Sequence, residues 1–177
     1  MNKKFLIFLV LLPSILFAQT DDKQDPWEPF RFFAGAWTST GKGCSGISTG
    51  DREYQFVLEE NFLQVTNRAI YEPQEQNPKG EVHQDLGFIS HDGIRDTFVW
   101  RQFHVEGFVN QYVLDTLASD GKTFIFLTES IENIPPGWRG RITCHILNDD
   151  EFAEIFDLAA PEKEFELYIE NHFTRKE

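Results

Sequence analysis

Residues 82–130 read VHQDLGFISHDGIRDTFVWRQFHVEGFVNQYVLDTLASDGKTFIFLTES. Three turn signals divide this stretch: His91-Asp92-Gly93, Glu106-Gly107 and Asp120-Gly121. Each places Gly where a hairpin needs positive φ, which a residue without Cβ adopts at no steric cost. The runs between them are short and rich in Phe, Val, Ile, Thr and Tyr, and none shows sustained 3.6-residue apolar spacing. Strands joined by such turns are sequential antiparallel neighbours.

The same pattern continues on both sides. Ten strands are predicted near 36–41, 52–60, 62–71, 82–90, 95–105, 108–118, 122–130, 138–147, 151–158 and 164–175. Asn61 marks a tight turn, 73–80 a longer loop, and Pro135-Pro136-Gly137 a connection with restricted backbone. At most one helical turn fits, around Pro29–Phe33. A meander of this length with no crossover helix leaves two exposed edges unless it closes. The expected fold is therefore an all-β, up-and-down antiparallel barrel of about ten strands, occupying residues 27–177 as one domain.

The chain opens differently. Lys3 and Lys4 precede an apolar run, Phe5–Phe17, broken only by Pro13 and Ser14, and Ala18 offers a small residue for cleavage. This is the layout of a secretory signal peptide, residues 1–18, too short to span a bilayer. Residues 19–26 read as a flexible lead-in. The expectation is export to the periplasm or the extracellular space. Losing residues 1–18 removes two Lys and no acid, so the net charge of −13 becomes −15. That field repels nucleic acid and anionic membrane surfaces as partners. Export permits a disulfide between Cys44 and Cys144; two unpaired thiols are the other reading. Nothing in the sequence sets the oligomeric state.

The Glu106-Gly107 hairpin carries the most chemistry. A two-residue turn pairs Val105 with Phe108, Phe103 with Asn110 and Arg101 with Tyr112, all on one face. That face is the more apolar, so it is expected to line the interior. Arg101, Asn110 and Tyr112 then point into an apolar cavity, where a buried Arg needs a partner. A ligand carboxylate is one such partner, held by the Arg fork and the Tyr hydroxyl. Glu129 is the other, because the Asp120-Gly121 turn sets it opposite Tyr112. The expected ligand-binding set is Arg101, Phe103, Asn110, Tyr112 and Glu129. Trp138 could cap the barrel mouth or lie free on a loop. The five His, at 83, 91, 104, 145 and 172, are scattered with no pair at metal-ligand spacing, so no metal is expected. No Gly-x-Ser-x-Gly, His-Glu-x-x-His or phosphate loop is present.

Gly35-Ala36-Trp37 at the start of the first strand resembles the Gly-x-Trp signature of the lipocalins and their calycin relatives, the fatty-acid-binding proteins among them. The resemblance implies that Trp37 closes one end of the barrel while a basic residue on the last strand, here Arg175, packs over its ring. The Arg101–Tyr112 stretch and the Glu129–Trp138 loop look like uncharacterised bacterial lipocalin-like proteins. The pairing of Arg101 with Tyr112 is similar in kind to the carboxylate clamp of fatty-acid-binding proteins. Gly41-Lys42-Gly43 resembles the early Gly-x-Gly of the haem-binding nitrobindins, whose iron is held by a His on the last strand. Tyr168 stands at that position here, with His172 four residues on, so the sequence departs at the ligand itself.

Three function classes follow. The first is a barrel binding a small apolar or amphipathic molecule without a cofactor. The second binds haem, with His104, His172 or Tyr168 as ligand. The third is an isomerase or hydrolase using Glu129 or His104 as base.

Overall fold

The computed structural model describes residues 25–177; the predicted signal peptide and most of the lead-in lie outside them. A 3-10 helix, Glu28–Phe33, precedes ten strands: β1 Gly35–Gly43, β2 Gly46–Val57, β3 Phe62–Tyr71, β4 Glu81–Asp92, β5 Thr97–His104, β6 Val109–Leu117, β7 Thr123–Glu132, β8 Arg139–Asn148, β9 Glu151–Ala159 and β10 Glu166–Arg175. Each strand pairs with its successor, and β1 pairs with β10, so the all-β, up-and-down sheet closes on itself as a barrel. Closure leaves no edge strand.

One end is plugged with aromatics. Pro29 is the second residue of the 3-10 helix, in the first turn, where its fixed φ and missing N–H cost nothing. The helix turns Phe30 and Phe33 into the barrel, and both are buried together with Trp27. The Phe30 ring packs on Phe98 at 4.4 Å and on Phe124 at 5.1 Å. Trp37 is fully buried, edge-on to Phe152 at 4.8 Å, and donates from Nε1 to the Phe33 carbonyl at 2.8 Å. Arg175, opposite Trp37 on β10, lies 4.2 Å over its ring and donates to the carbonyls of Ala34 and Phe32. A guanidinium there does two things at once. It meets the π face and satisfies carbonyls that the short helix leaves open.

Two connections differ from expectation. β2 begins at Gly46 rather than near 52, because Cys44 and Ser45 alone join Gly43 to its partner Gly46. The Gly-rich run 41–50 hides this hairpin, since Gly has low strand preference and reads as loop. The β5–β6 turn has three residues, Val105–Gly107, instead of two. His104 N–H donates to Phe108 O, Gly107 N–H donates to His104 O, and Gly107 takes φ +90°. One extra turn residue moves every partner by one, so Tyr112 pairs with Trp100 and Asn110 with Gln102.

Candidate functional site

The three-residue turn decides which face of β5 points inward. Phe98, Trp100 and Gln102 are buried, whereas Arg101 and Phe103 are exposed. The expected inward face is thus correct for β6, where Asn110 and Tyr112 are buried, and reversed for β5. Burying Trp100 rather than Arg101 avoids taking a charge out of water and gains a large apolar surface. Arg101 reaches Ser90 Oγ on the outer wall at 3.4 Å. Phe103 lines a depression of about 530 Å³ with Arg68, Leu86 and Val105.

Glu129 also lies outside. The β6–β7 ladder skips it between Gln111↔Ser130 and Tyr112↔Thr128, so it is the extra residue of a bulge. Its carboxylate accepts from Gln111 Nε2 at 2.6 Å and from Arg95 Nη1 at 2.8 Å. Arg101, Tyr112 and Glu129 are therefore not an interior cluster, and the clamp built from them does not form. Cys44 is exposed and Cys144 buried, and both are free thiols. Trp138 lies, partly buried, in the β7–β8 connection at the far end.

The interior has its own buried arginine. Arg52 on β2 donates to both oxygens of Glu154 on β9, at 2.6 and 3.0 Å, and also to Tyr54 and Asn67. Its guanidinium lies 4.3 Å over the Phe173 ring. Burial alone would drive its proton off; the Glu154 charge outweighs that and holds Arg52 firmly cationic. Burial raises the pKa of Tyr54, and that of the Cys144 thiol further with Glu154 beside it. An expected buried charge is thus present and internally neutralised, by different residues from those the hairpin reading named.

From Arg52 the network runs along the wall toward the far end. Asn67 donates to Asp85 at 2.9 Å, and Gln102 lies 3.5 Å from the same carboxylate. Burial pushes the Asp85 carboxyl up, but hydrogen bonding from His83, the Arg52 charge and Asn67 together hold it below the usual range. His83 contacts Asp85 at 3.5 Å and Glu106 at 2.8 Å, and these raise it to about 9. His104, partly buried beside it, is shifted the other way by desolvation. Asn110 Nδ2 lies 2.9 Å from the Tyr112 hydroxyl and 3.2 Å from His104 Nε2.

Trp100 Nε1, His104 Nδ1 and Asn110 Oδ1 are buried without a hydrogen-bond partner. All three sit on the adjacent strands β5 and β6. Trp100 Nε1 faces the bare backbone of Gly87, where a Cβ would approach it to 2.6 Å. His83 and His104 converge here too, although 21 residues separate them in sequence; His104 is the cross-strand partner of Asp85. Spacing along one strand cannot reveal a pair made across two.

The last strand carries the two residues that the haem resemblance singled out. His172 is exposed and faces Glu151 at 3.5 Å. Tyr168 is the extra residue of the β10 bulge, edge-on to Phe156 at 5.7 Å. The early glycines are filled by the protein itself: a Cβ at Gly41 would overlap Asn171 and Ser48, and one at Gly43 the Tyr168 carbonyl. Of the two expected catalytic bases, Glu129 is outside and only His104 faces the interior.

No protein-family model matches the chain, and no curated protein is similar to it in sequence. Among solved structures, the chain is similar to Rv2717c from M. tuberculosis, with a TM-score of 0.63 at 14% identity over 86% of this chain and 98% of that one. A de novo designed fluorescence-activating β-barrel covers 82% of this chain at 12% identity with a TM-score of 0.44, and a redesigned β-barrel covers 82% with 0.43. With Rv2717c the chain shares a closed β-barrel fold.

Proposed function

We propose that this is an exported carrier or sensor barrel that binds one small amphipathic molecule with an uncharged polar head. The observation that carries the reading is the set of three unpartnered buried polar atoms, Trp100 Nε1, His104 Nδ1 and Asn110 Oδ1, on two neighbouring strands. A buried polar group left without a partner costs about 1–3 kcal/mol, so three on one patch call for an occupant. An indole N–H donor and the free atom of the Asn110 amide, an acceptor or a donor according to its orientation, suit a hydroxyl, amide or carbonyl. A carboxylate is disfavoured, because the buried guanidinium is already held by Glu154. Across the barrel at the far end, Thr128, Phe156, Leu158 and Ile169 stand at inward positions and remain partly exposed. They supply the apolar wall. The signal-peptide layout of residues 1–18 and the acidic charge support the exported setting.

Native mass spectrometry of protein isolated from its own host tests this. The expected result is a one-to-one non-covalent adduct, weakened about tenfold by Trp100→Phe, which keeps the ring and removes the N–H donor. A protein that carries no adduct and shows no tryptophan fluorescence change with any neutral amphiphile overturns the reading. Amino-terminal sequencing of the same sample tests export, with Gln19 expected first.

A further inference from the structure

The far end of β4 and β5 brings metal-ligand chemistry together. His83 and Asp85 are two apart on β4 and share the inward face. His104 stands across from Asp85 on β5. Each of the three offers one ligand atom, all within 4.8 Å of one another. His83 Nε2 is 3.5 Å from Asp85 Oδ2, while His83 Nδ1 is 2.8 Å from Glu106 Oε1. The His83 and His104 rings are 5.5 Å apart.

We propose that His83, Asp85 and His104 bind one divalent transition-metal ion of the zinc type, with Glu106 and Asn110 orienting the two imidazoles from outside. Two imidazoles and one carboxylate favour such an ion over Mg²⁺ or Ca²⁺, which take oxygen ligands. Ligand atoms around a tetrahedral Zn²⁺ lie about 3.3 Å apart, given bonds of about 2.0–2.1 Å. The His83–Asp85 pair already has that spacing, and side-chain rotation closes the rest.

The outer groups complete the argument. A metal-bound imidazole ordinarily donates its second N–H to a carboxylate or carbonyl, which fixes its tautomer. Glu106 stands ready to accept from His83 Nδ1, so Nε2, on the Asp85 side, is the nitrogen that exchanges its proton for the metal. Rotating the Asn110 amide by 180° places Oδ1 against His104 Nε2, where it accepts both from that N–H and from the Tyr112 hydroxyl. The buried Nδ1, partnerless among protein atoms, then presents its lone pair. The Asp85 side chain is 4% exposed and that of His83 26%, so an ion enters from the His83 side. Three protein ligands leave a fourth position open to water or to an oxygen of a bound molecule.

The test uses tag-free, chelator-stripped full chain, titrated with Zn²⁺ by calorimetry and with Co²⁺ by visible absorption at neutral pH. One-to-one binding is expected, with Co²⁺ bands of a four-coordinate nitrogen–oxygen site. His83→Gln and His104→Gln should each weaken Zn²⁺ by about 100-fold or more, and Glu106→Gln by about tenfold; circular dichroism checks that each is folded. Should a variant fail to fold, imidazole nitrogen NMR of the unaltered protein answers instead. Zn²⁺ must then perturb His83 and His104 and leave His145 and His172 unmoved. Absence of stoichiometric binding overturns the proposal, as does equal affinity in the His variants or a response at other His. The two readings share His104 and the Asn110 amide, so they are separated by experiment: adducts and fluorescence in the metal-free protein judge the small molecule, and titration without amphiphile judges the metal.

Discussion

Arg52 shares its guanidinium among Glu154, Tyr54 and Asn67 and lays its face on Phe173. Two charges taken from water must be returned by their mutual attraction, and here two short parallel hydrogen bonds supply it. Removing one partner leaves the other buried and unpaired. Arg52→Met or Glu154→Gln should each cost about 3–5 kcal/mol in urea unfolding. The double change Arg52→Met with Glu154→Met should cost less than the two singles combined, because no orphan charge remains. Additive losses would mean that the pair is not coupled. Cys144 is predicted to be inert in the native state, since burial and Glu154 push its thiol well up. A thiol reagent should label Cys44 alone in folded protein and both cysteines in denaturant. Fast labelling of both in the native protein would contradict the buried placement.

At the level of elements, nearly all strands were legible, and the reason is the turns. His91-Asp92-Gly93, Asp120-Gly121 and Asn148-Asp149-Asp150 each end one alternating run and begin another, and the observed strands follow within a few residues. What was not legible was the number of residues in one turn. Glu106-Gly107 is compatible with a two-residue or a three-residue loop, and the two choices send opposite faces of β5 inward. The bulge at Glu129 added a second slip of the same kind. Neither leaves a signal in composition, so Asn110 and Tyr112 could be placed inside while Arg101, Phe103 and Glu129 could not be placed outside. His83 and Asp85 went unnoticed because their partner comes from another strand. Gly107 holds the observed turn at φ +90° with open space around it. Gly107→Ala should therefore cost about 1–2 kcal/mol through backbone strain alone. A neutral result would show that the loop can adopt another turn.

For the whole molecule, the decisive event is the meeting of β1 and β10. Seven residue pairs, from Trp37↔Arg175 to Gly43↔Ile169, join the two ends of the chain. These are the most distant strand pairings in sequence, and such pairings slow folding because a long loop must close before they form. Deleting residues 166–177 removes Phe173 and Arg175 and exposes β1 and β9 as unpaired edges. The truncated chain should elute from size exclusion as larger species than the full chain, as edge-to-edge association takes over. A monomeric, folded truncation would show that closure is dispensable.

The same β1–β10 seam has a geometric consequence. Lys176 N–H bonds to the Ala36 carbonyl, and Arg31 holds Asp25 just outside the helix. The chain therefore enters and leaves the barrel at the plugged end. Anything joined beyond either end of the described residues therefore attaches at the base. The opposite rim, with His83, Asp85 and the partly exposed inner wall, then faces away from the attachment. A circularly permuted chain joined across that seam would keep the same orientation of base and mouth.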